Sequence, residues 1–102
     1  GCYEAAELEF LALYKTYGNS YGELYGKSDS SIRSGYNAAV MQIVQKRYGE
    51  AKLLLEDVWS KSNTIKINEN LSKKIQKAYQ QCKTEISYQE KISNNLILRQ
   101  PE

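Results

Sequence analysis

Two cysteines carry the most definite chemistry in this 102-residue chain. Cys2 follows Gly1 at the start of the sequence, and Cys82 lies far along it, on the apolar side of a helical pattern. A small residue followed by cysteine is typical of the site at which bacterial lipoproteins are processed and acylated. Alternatively, Cys2 and Cys82 form a disulfide, or both remain reduced thiols. Acylation of Cys2 and a disulfide exclude each other, because an acylated sulfur cannot pair.

Other catalytic and metal-binding groups are sparse. The sequence contains no histidine, which excludes Ser-His-Asp and Cys-His triads and most zinc sites. Two carboxylate pairs, Glu4 with Glu7 and Glu56 with Asp57, are interpreted as charges on solvated helix faces. No glycine-rich loop of the nucleotide-binding type occurs. We therefore expect no enzymatic activity, no cofactor and no metal site.

Tyrosine is the unusual residue of the composition, since nine of the eleven aromatic side chains are tyrosines. Three of them precede glycines in a repeat with a period of four: Tyr17-Gly18, Tyr21-Gly22 and Tyr25-Gly26. On a helix these glycines would form a groove for a close neighbour, at a cost of about 1 kcal/mol each. In a loop they would supply turns. Tyrosine-rich surfaces are also common in binding sites. We expect residues 18–30 to be a Tyr-Gly-rich connector.

Three predicted helices must position these groups. The strongest pattern spans residues 31–60, with a bend expected at Gly49, and follows a four-three spacing through Val40, Val44, Arg47, Ala51, Leu54 and Val58. Similar patterns predict helices near residues 3–17 and 68–95. The fold class is therefore all-α, an elongated up-down-up three-helix bundle in a single domain over residues 1–102. Residues 96–102 are expected to form an extended tail.

The lengths of these helices decide whether the cysteines can meet. At about 1.5 Å per residue, Cys82 lies about 21 Å above the turn between the second and third helices. Cys2 reaches about the same height if the first helix ends near Tyr17. A helix that continued straight to Tyr25 would displace Cys2 by about 12 Å and prevent the bond. A disulfide and a helix break at Gly18 are therefore linked predictions.

Charge is distributed unevenly along the chain. Residues 1–30 carry a net charge of −3, and residues 61–102 carry a net charge of +4. These parts could complement each other inside the fold, or the basic part could face outward toward anionic lipid or nucleic acid. The three arginines are scattered, which argues against nucleic acid as the partner. Membrane attachment is expected only through an N-terminal lipid, because no apolar run approaches the length of a membrane span.

These observations favour a non-enzymatic helical protein that is exported and binds another protein. It would be periplasmic or membrane-anchored as a bacterial lipoprotein if Cys2 is acylated. The roles of pilotin, inhibitor, immunity protein and adhesion factor all stay open, because no motif of such a family matches. The alternative is a structural bundle that associates with itself as an oligomer. The residues expected to contact a partner are Tyr17, Tyr21, Tyr25 and Tyr36 and the apolar segment Leu96, Ile97 and Leu98.

Overall fold

Four helices make up the part of the chain that the structure describes. This computed structural model describes residues 2–19, 29–63 and 67–99, with the backbone alone at 16–19, 29 and 95–99. The helices are α1 (Tyr3–Asn19), α2 (Asp29–Val44), α3 (Tyr48–Ser62) and α4 (Glu69–Arg99). The predicted all-α bundle is confirmed, with four helices in place of three.

The additional helix results from a break within the predicted helix 31–60. Lys46 adopts a left-handed conformation with a φ of 62°. The backbone N–H groups of Lys46 and Arg47 donate to the carbonyls of Ile43 and Gln42, both at 2.9 Å. This pair of bonds is the Schellman motif that ends many helices. The chain therefore turns three residues before Gly49, where we expected only a bend.

Helix α2 lies between α1 and α3 and runs antiparallel to both. Gln42 of α2 donates a hydrogen bond to Glu7 of α1. The helices approach closely at Gly35, because a Cβ atom there would lie 2.6 Å from Cγ2 of Val58 and 2.8 Å from Cδ1 of Tyr14. The buried face of α2 carries mostly small residues, namely Ser31, Ser34, Gly35, Ala38 and Ala39.

Helix α4 packs antiparallel on α3 and is much longer than its neighbour. Its buried residues, at four-three spacing, are Leu71, Ile75, Ala78 and Cys82. Tyr79 donates a hydrogen bond to Glu56, so Tyr48, where α3 begins, is level with residue 87 of α4. Residues 87–99, which we call the projecting segment, extend about 18 Å beyond that level. The molecule accordingly measures 60 × 27 × 20 Å.

Two predicted irregular segments are partly helical. Helix α4 continues to Arg99, so residues 96–99 of the predicted extended tail are helical, and residues 100–102 lie outside the described residues. Gly18 and Asn19 of the predicted connector belong to α1, so the helix does not break at Gly18. Residues 20–28, which include the second and third Tyr-Gly pairs, lie outside the described residues.

Both cysteines are free thiols, and the disulfide alternative is not formed. Cys82 is fully buried and faces the core between α3 and α4, whereas Cys2 is exposed before the first turn of α1. Helix α1 packs on α2, and α4 packs mainly on α3. The two thiols do not meet because the helices that carry them are not direct packing partners.

Candidate functional site: the groove between α3 and α4

An open groove of about 560 Å³ lies between α3 and the first half of α4. Leu55 and Ile75 are buried and form its floor, and the half-buried rings of Trp59 and Tyr79 flank it. The rim is polar and consists of Glu56, Ser60, Asn63, Gln76 and Gln80. An apolar floor with aromatic walls and a few polar groups is typical of sites that bind small molecules or a side chain of a partner protein.

The groove follows from the way these two helices present their side chains. On α3, Leu55 and Val58 are buried in the core, and Trp59, which follows Val58, lies at the edge of the core. On α4, Ala78 is buried in the core, and Tyr79, which follows it, likewise lies at the edge of the core. Because Trp59 lies on α3 and Tyr79 lies on α4, the two rings approach the groove from opposite walls. Both rings pack against the core cluster and remain half-exposed.

One hydrogen bond spans the groove at its rim. The Tyr79 hydroxyl donates to Oε2 of Glu56 at 2.9 Å. This bond to the carboxylate raises the pKa of the Tyr79 hydroxyl above its ordinary value, with smaller contributions from burial and the carboxylate charge. The Lys83 ammonium lies 5.4 Å from the centre of the Tyr79 ring. Tyr79 is therefore a neutral, oriented wall of the groove at physiological pH.

The lining residues offer an apolar floor and hydrogen-bonding groups at the rim. They include no cysteine or histidine, and their carboxylate, Glu56, is already engaged by Tyr79. The amides of Gln76, Gln80 and Asn63 can donate and accept hydrogen bonds. A bound apolar group would meet the aromatic walls, and its polar flanks would meet these amides.

Glu7 is buried, so its predicted place on a solvated face is wrong. Its side chain is 5% exposed and accepts hydrogen bonds from Gln42 at 3.1 Å, Gln45 at 2.9 Å and Arg47 at 2.6 Å. Desolvation raises the pKa of Glu7, but these three hydrogen bonds and the Arg47 charge outweigh it and lower the pKa. All four side chains of this cluster are engaged with each other, so it ties α1 to the break between α2 and α3.

A second polar cluster joins α1 to α3. The buried Tyr14 donates a hydrogen bond of 2.6 Å to Oδ2 of Asp57. The Lys61 ammonium lies 3.3 Å from the same carboxylate oxygen and 4.4 Å from the centre of the Tyr14 ring. Burial, and then the Asp57 hydrogen bond and charge, raise the pKa of Tyr14 strongly. Tyr14 is thereby held as a hydrogen-bond donor that cross-links two helices.

The residues predicted to contact a partner lie in different parts of the molecule. Tyr36 is half-buried on α2 and borders a shallow cleft with Arg33 and Lys74. Tyr36 lies midway along α2, whereas Tyr17 lies near the end of α1. No side-chain position is described for Tyr17. Leu96, Ile97 and Leu98 lie at the opposite end, on the last turns of the projecting segment. Tyr21 and Tyr25 are outside the described residues.

The groove was not predicted from the sequence. Of its lining residues, Glu56 is interpreted from the sequence only as a charge on a solvated helix face. Trp59, the sole tryptophan of the chain, is the signal that could have indicated it, because tryptophan is enriched at binding sites and is rarely buried completely.

Further comparisons add no assignment. Among the described residues, no group of three cysteine, aspartate or glutamate side chains could hold a metal ion. None of the helices in the described ranges has the length and apolar character needed to cross a membrane. Searches of protein-family models, curated proteins and solved structures gave no significant match to this chain.

Proposed function

We propose that this chain is a non-enzymatic, exported helical protein that binds another protein, and that the groove between α3 and α4 receives an apolar side chain of the partner. The observation that carries the proposal is the pair of half-exposed aromatic rings, Trp59 and Tyr79, over a buried aliphatic floor. Aromatic residues at the centre of an interface contribute much of its binding energy. A groove of about 560 Å³ accommodates one or two such side chains.

The experiment uses helical peptides selected for binding from a randomised library, because Trp59 reports occupancy of the groove directly. Selected peptides are expected to carry an apolar anchor and to shift the Trp59 fluorescence on binding. Ser60→Arg places a long side chain at the rim of the groove. We expect this substitution to weaken peptide binding at least about tenfold, since it obstructs the anchor.

Ser30→Arg is the matched control, because Ser30 is an exposed serine on α2 away from the groove. This variant should bind the peptides as the wild type does. Selected peptides that leave Trp59 fluorescence unchanged, and whose affinity is the same for both variants, would contradict the proposal.

Export with acylation of Cys2 is part of the proposed function. Cys2 is exposed and is followed at once by α1, so an acyl chain there would hold this end of the bundle near a membrane. Intact mass of the protein extracted with detergent from its native source tests this point. A mass increase that maps to Cys2 supports acylation, and a free Cys2 thiol in the native protein excludes it.

The second candidate function is self-association, which the projecting segment favours. Residues 87–94 are exposed throughout, and an isolated helix shorter than about 12–15 residues is marginal in water. Pairing between copies would stabilise it. Sedimentation over a series of rising protein concentrations, compared with an Ile92→Glu variant, tests this candidate. A wild-type chain that remains monomeric at every concentration would exclude it.

A further inference from the structure

The outward face of α4 carries four lysines, three of them near the start of the helix. At about 100° per residue, a single arc of about 100° on this helix contains, between residues 70 and 92, Asn70, Lys73, Lys74, Lys77, Gln81, Thr84, Tyr88, Lys91 and Ile92. We call this set the lysine face, and each of its members is exposed. The glutamates of α4, at positions 69, 85 and 90, fall outside the arc. The lysine face therefore presents positive charge without an acidic residue among it.

The charges of this face are only slightly compensated by the fold. The Lys73 ammonium lies 3.5 Å from Glu69, an exposed pair of small energetic value. Among the described residues, Lys74, Lys77 and Lys91 make no ion pair. The basic C-terminal part of the chain thus faces outward.

Two large apolar side chains lie on the lysine face where it continues into the projecting segment. Tyr88 is 61% exposed and Ile92 is 41% exposed, and they flank Lys91 on the lysine face. Neither belongs to the buried core or packs against it. Tyrosine prefers the interface between water and lipid, and exposed aliphatic side chains next to lysines are typical of helices that lie on a bilayer.

The arrangement of the lysines distinguishes a bilayer from nucleic acid. Lys73, Lys74 and Lys77 lie within about 6 Å along α4, and Lys91 lies about 21 Å further on the same face, which matches a flat surface of diffuse negative charge. Lysine acts as a point charge, which suits diffuse anionic headgroups, whereas the planar fork of arginine suits bidentate contacts to phosphate and to guanine. Between residues 70 and 92, lysine is the one type of charged residue on this arc.

We propose that the lysine face docks on an anionic lipid bilayer, with the ammonium groups at headgroup phosphates and with Tyr88 and Ile92 in the interfacial layer. The charge complementarity of this face to an anionic surface carries the proposal, and the two exposed apolar side chains favour lipid as its source. The proposal is independent of the groove and of any modification of Cys2, because the unacylated chain should bind by itself.

Sedimentation with vesicles tests the proposal on the unacylated full chain. We expect binding to vesicles of equal parts phosphatidylglycerol and phosphatidylcholine, none to phosphatidylcholine alone, and loss of most binding at about 0.5 M salt. The triple variant K74Q/K77Q/K91Q should bind about 100-fold more weakly, since each lysine near an anionic surface contributes about fivefold. The double variant Y88S/I92S should lose about tenfold while keeping the salt dependence.

The control is K15Q/K46Q/K52Q, which removes the same charge from α1, from the turn after α2 and from α3. It should retain most of the vesicle binding, and circular dichroism should show that both triple variants keep the helical content of the wild type. Equal losses in the two triple variants would overturn the proposal, because binding would then follow net charge alone. Absence of wild-type binding to the anionic vesicles would also overturn it, as would tight binding to duplex DNA in its place.

Discussion

At the scale of single residues, the polar side chains that resembled catalytic candidates act as links between helices. Glu7 gathers groups from α2 and from the turn that follows it, and Tyr14 joins α1 to Asp57 of α3. In both cases a charged acceptor is placed where two or more helices meet. The Glu7 carboxylate is buried and is stabilising only while its hydrogen bonds remain intact, so this link should be sensitive to substitution.

Substitution of Glu7 by alanine should lower the free energy of unfolding by about 2 kcal/mol. The reason is that Gln42, Gln45 and Arg47 lose a shared charged acceptor, and the amide of Gln42 is left buried without a partner. Urea denaturation measures the change. Glu9→Ala is the control, because Glu9 is exposed on the same helix, and it should change stability by less than about 0.5 kcal/mol. Equal effects of the two substitutions would contradict the assigned role of Glu7.

The lowered pKa of Glu7 predicts a specific dependence of stability on acid. The ordinary pKa of 4.5 applies to the unfolded chain and the folded pKa is lower, so the folded state favours the ionised form. This stabilisation is complete above pH 4.5 and is lost as the pH falls through the folded pKa. The difference in unfolding free energy between the wild type and Glu7→Gln should therefore shrink as the pH is lowered from about 6 to about 2. A difference that stays constant over this range would show that ionisation of Glu7 is not what stabilises the cluster.

At the scale of elements, two glycines have opposite roles. Gly35 is the point of closest approach among three helices, and a methyl group there would overlap Val58 and Tyr14. Gly49 lies in the first turn of α3, where a methyl group would have no neighbour within 4 Å. We expect Gly35→Ala to destabilise the fold by about 2 kcal/mol and Gly49→Ala to stabilise it by about 0.5 kcal/mol. Thermal unfolding of both variants measures these changes in stability. A Gly35→Ala variant as stable as the wild type would contradict the close packing.

The turn between α2 and α3 carries its own prediction. Lys46 has a left-handed backbone, which is unfavourable for a residue with a Cβ atom and easy for glycine. Lys46→Gly should therefore raise the free energy of unfolding by up to about 1 kcal/mol, as measured by urea denaturation. Lys52→Gly, within helix α3, is the contrasting substitution and should lower it by about 1 kcal/mol. A loss of stability in Lys46→Gly would argue against the left-handed turn.

These elements also show which parts of the fold the sequence predicts. The four-three spacing in α4 corresponds to its buried residues, and its start near Asn68 agrees with the cap, in which Asn68 accepts a hydrogen bond from the backbone of Asn70. The spacing fails in α2. Val44 is exposed there, and small residues such as Ser31 and Ala38 fill the core, because closeness of the helices, rather than hydrophobicity, selects them. Arg47 lies in the turn, but its position continues the four-three spacing, so the sequence pattern gave no indication that the helix ends before it.

The candidate site was less predictable than the fold. The groove depends on how far apart α3 and α4 lie, which is a property of two helices together and leaves no motif in either one. Glu7 was also misread, because its burial is decided by Gln42, Gln45 and Arg47, which are 35 residues or more away in the sequence. The basic character of the C-terminal part could be predicted from the sequence, and so could the position of its lysines opposite the apolar stripe of the predicted helix 68–95.

At the scale of the whole molecule, one helix is much longer than the body that supports it. The radius of gyration is 16.2 Å, compared with about 13 Å for a compact domain of this length. Exposed apolar residues concentrate toward the end from which α4 projects, among them Tyr3, Val44, Tyr88 and Ile92. The self-association proposal involves this end of the molecule, as do Tyr88, Lys91 and Ile92 of the bilayer proposal, whereas Lys73, Lys74 and Lys77 lie toward the other end of α4.

Hydrogen exchange should divide α4 into two parts. Amides of residues 75–82, which pack on α3, should exchange only through global unfolding, whereas those of residues 88–94 should exchange at least about 100-fold faster in the isolated monomer. Binding of the projecting segment to anionic vesicles or to a second copy should slow the exchange of residues 88–94 alone. Uniform protection along α4 in the monomer would show that the projecting segment has support within its own chain.

The difference in exposure between the two thiols allows Cys2 to be labelled selectively. Burial raises the pKa of the Cys82 thiol and shields it from reagents, whereas Cys2 is open to them. A maleimide added to the native protein should therefore label one position without any engineered substitution. A spin label or fluorophore attached there sits at the end of the bundle from which α4 extends, close to where a second copy or a bilayer would arrive.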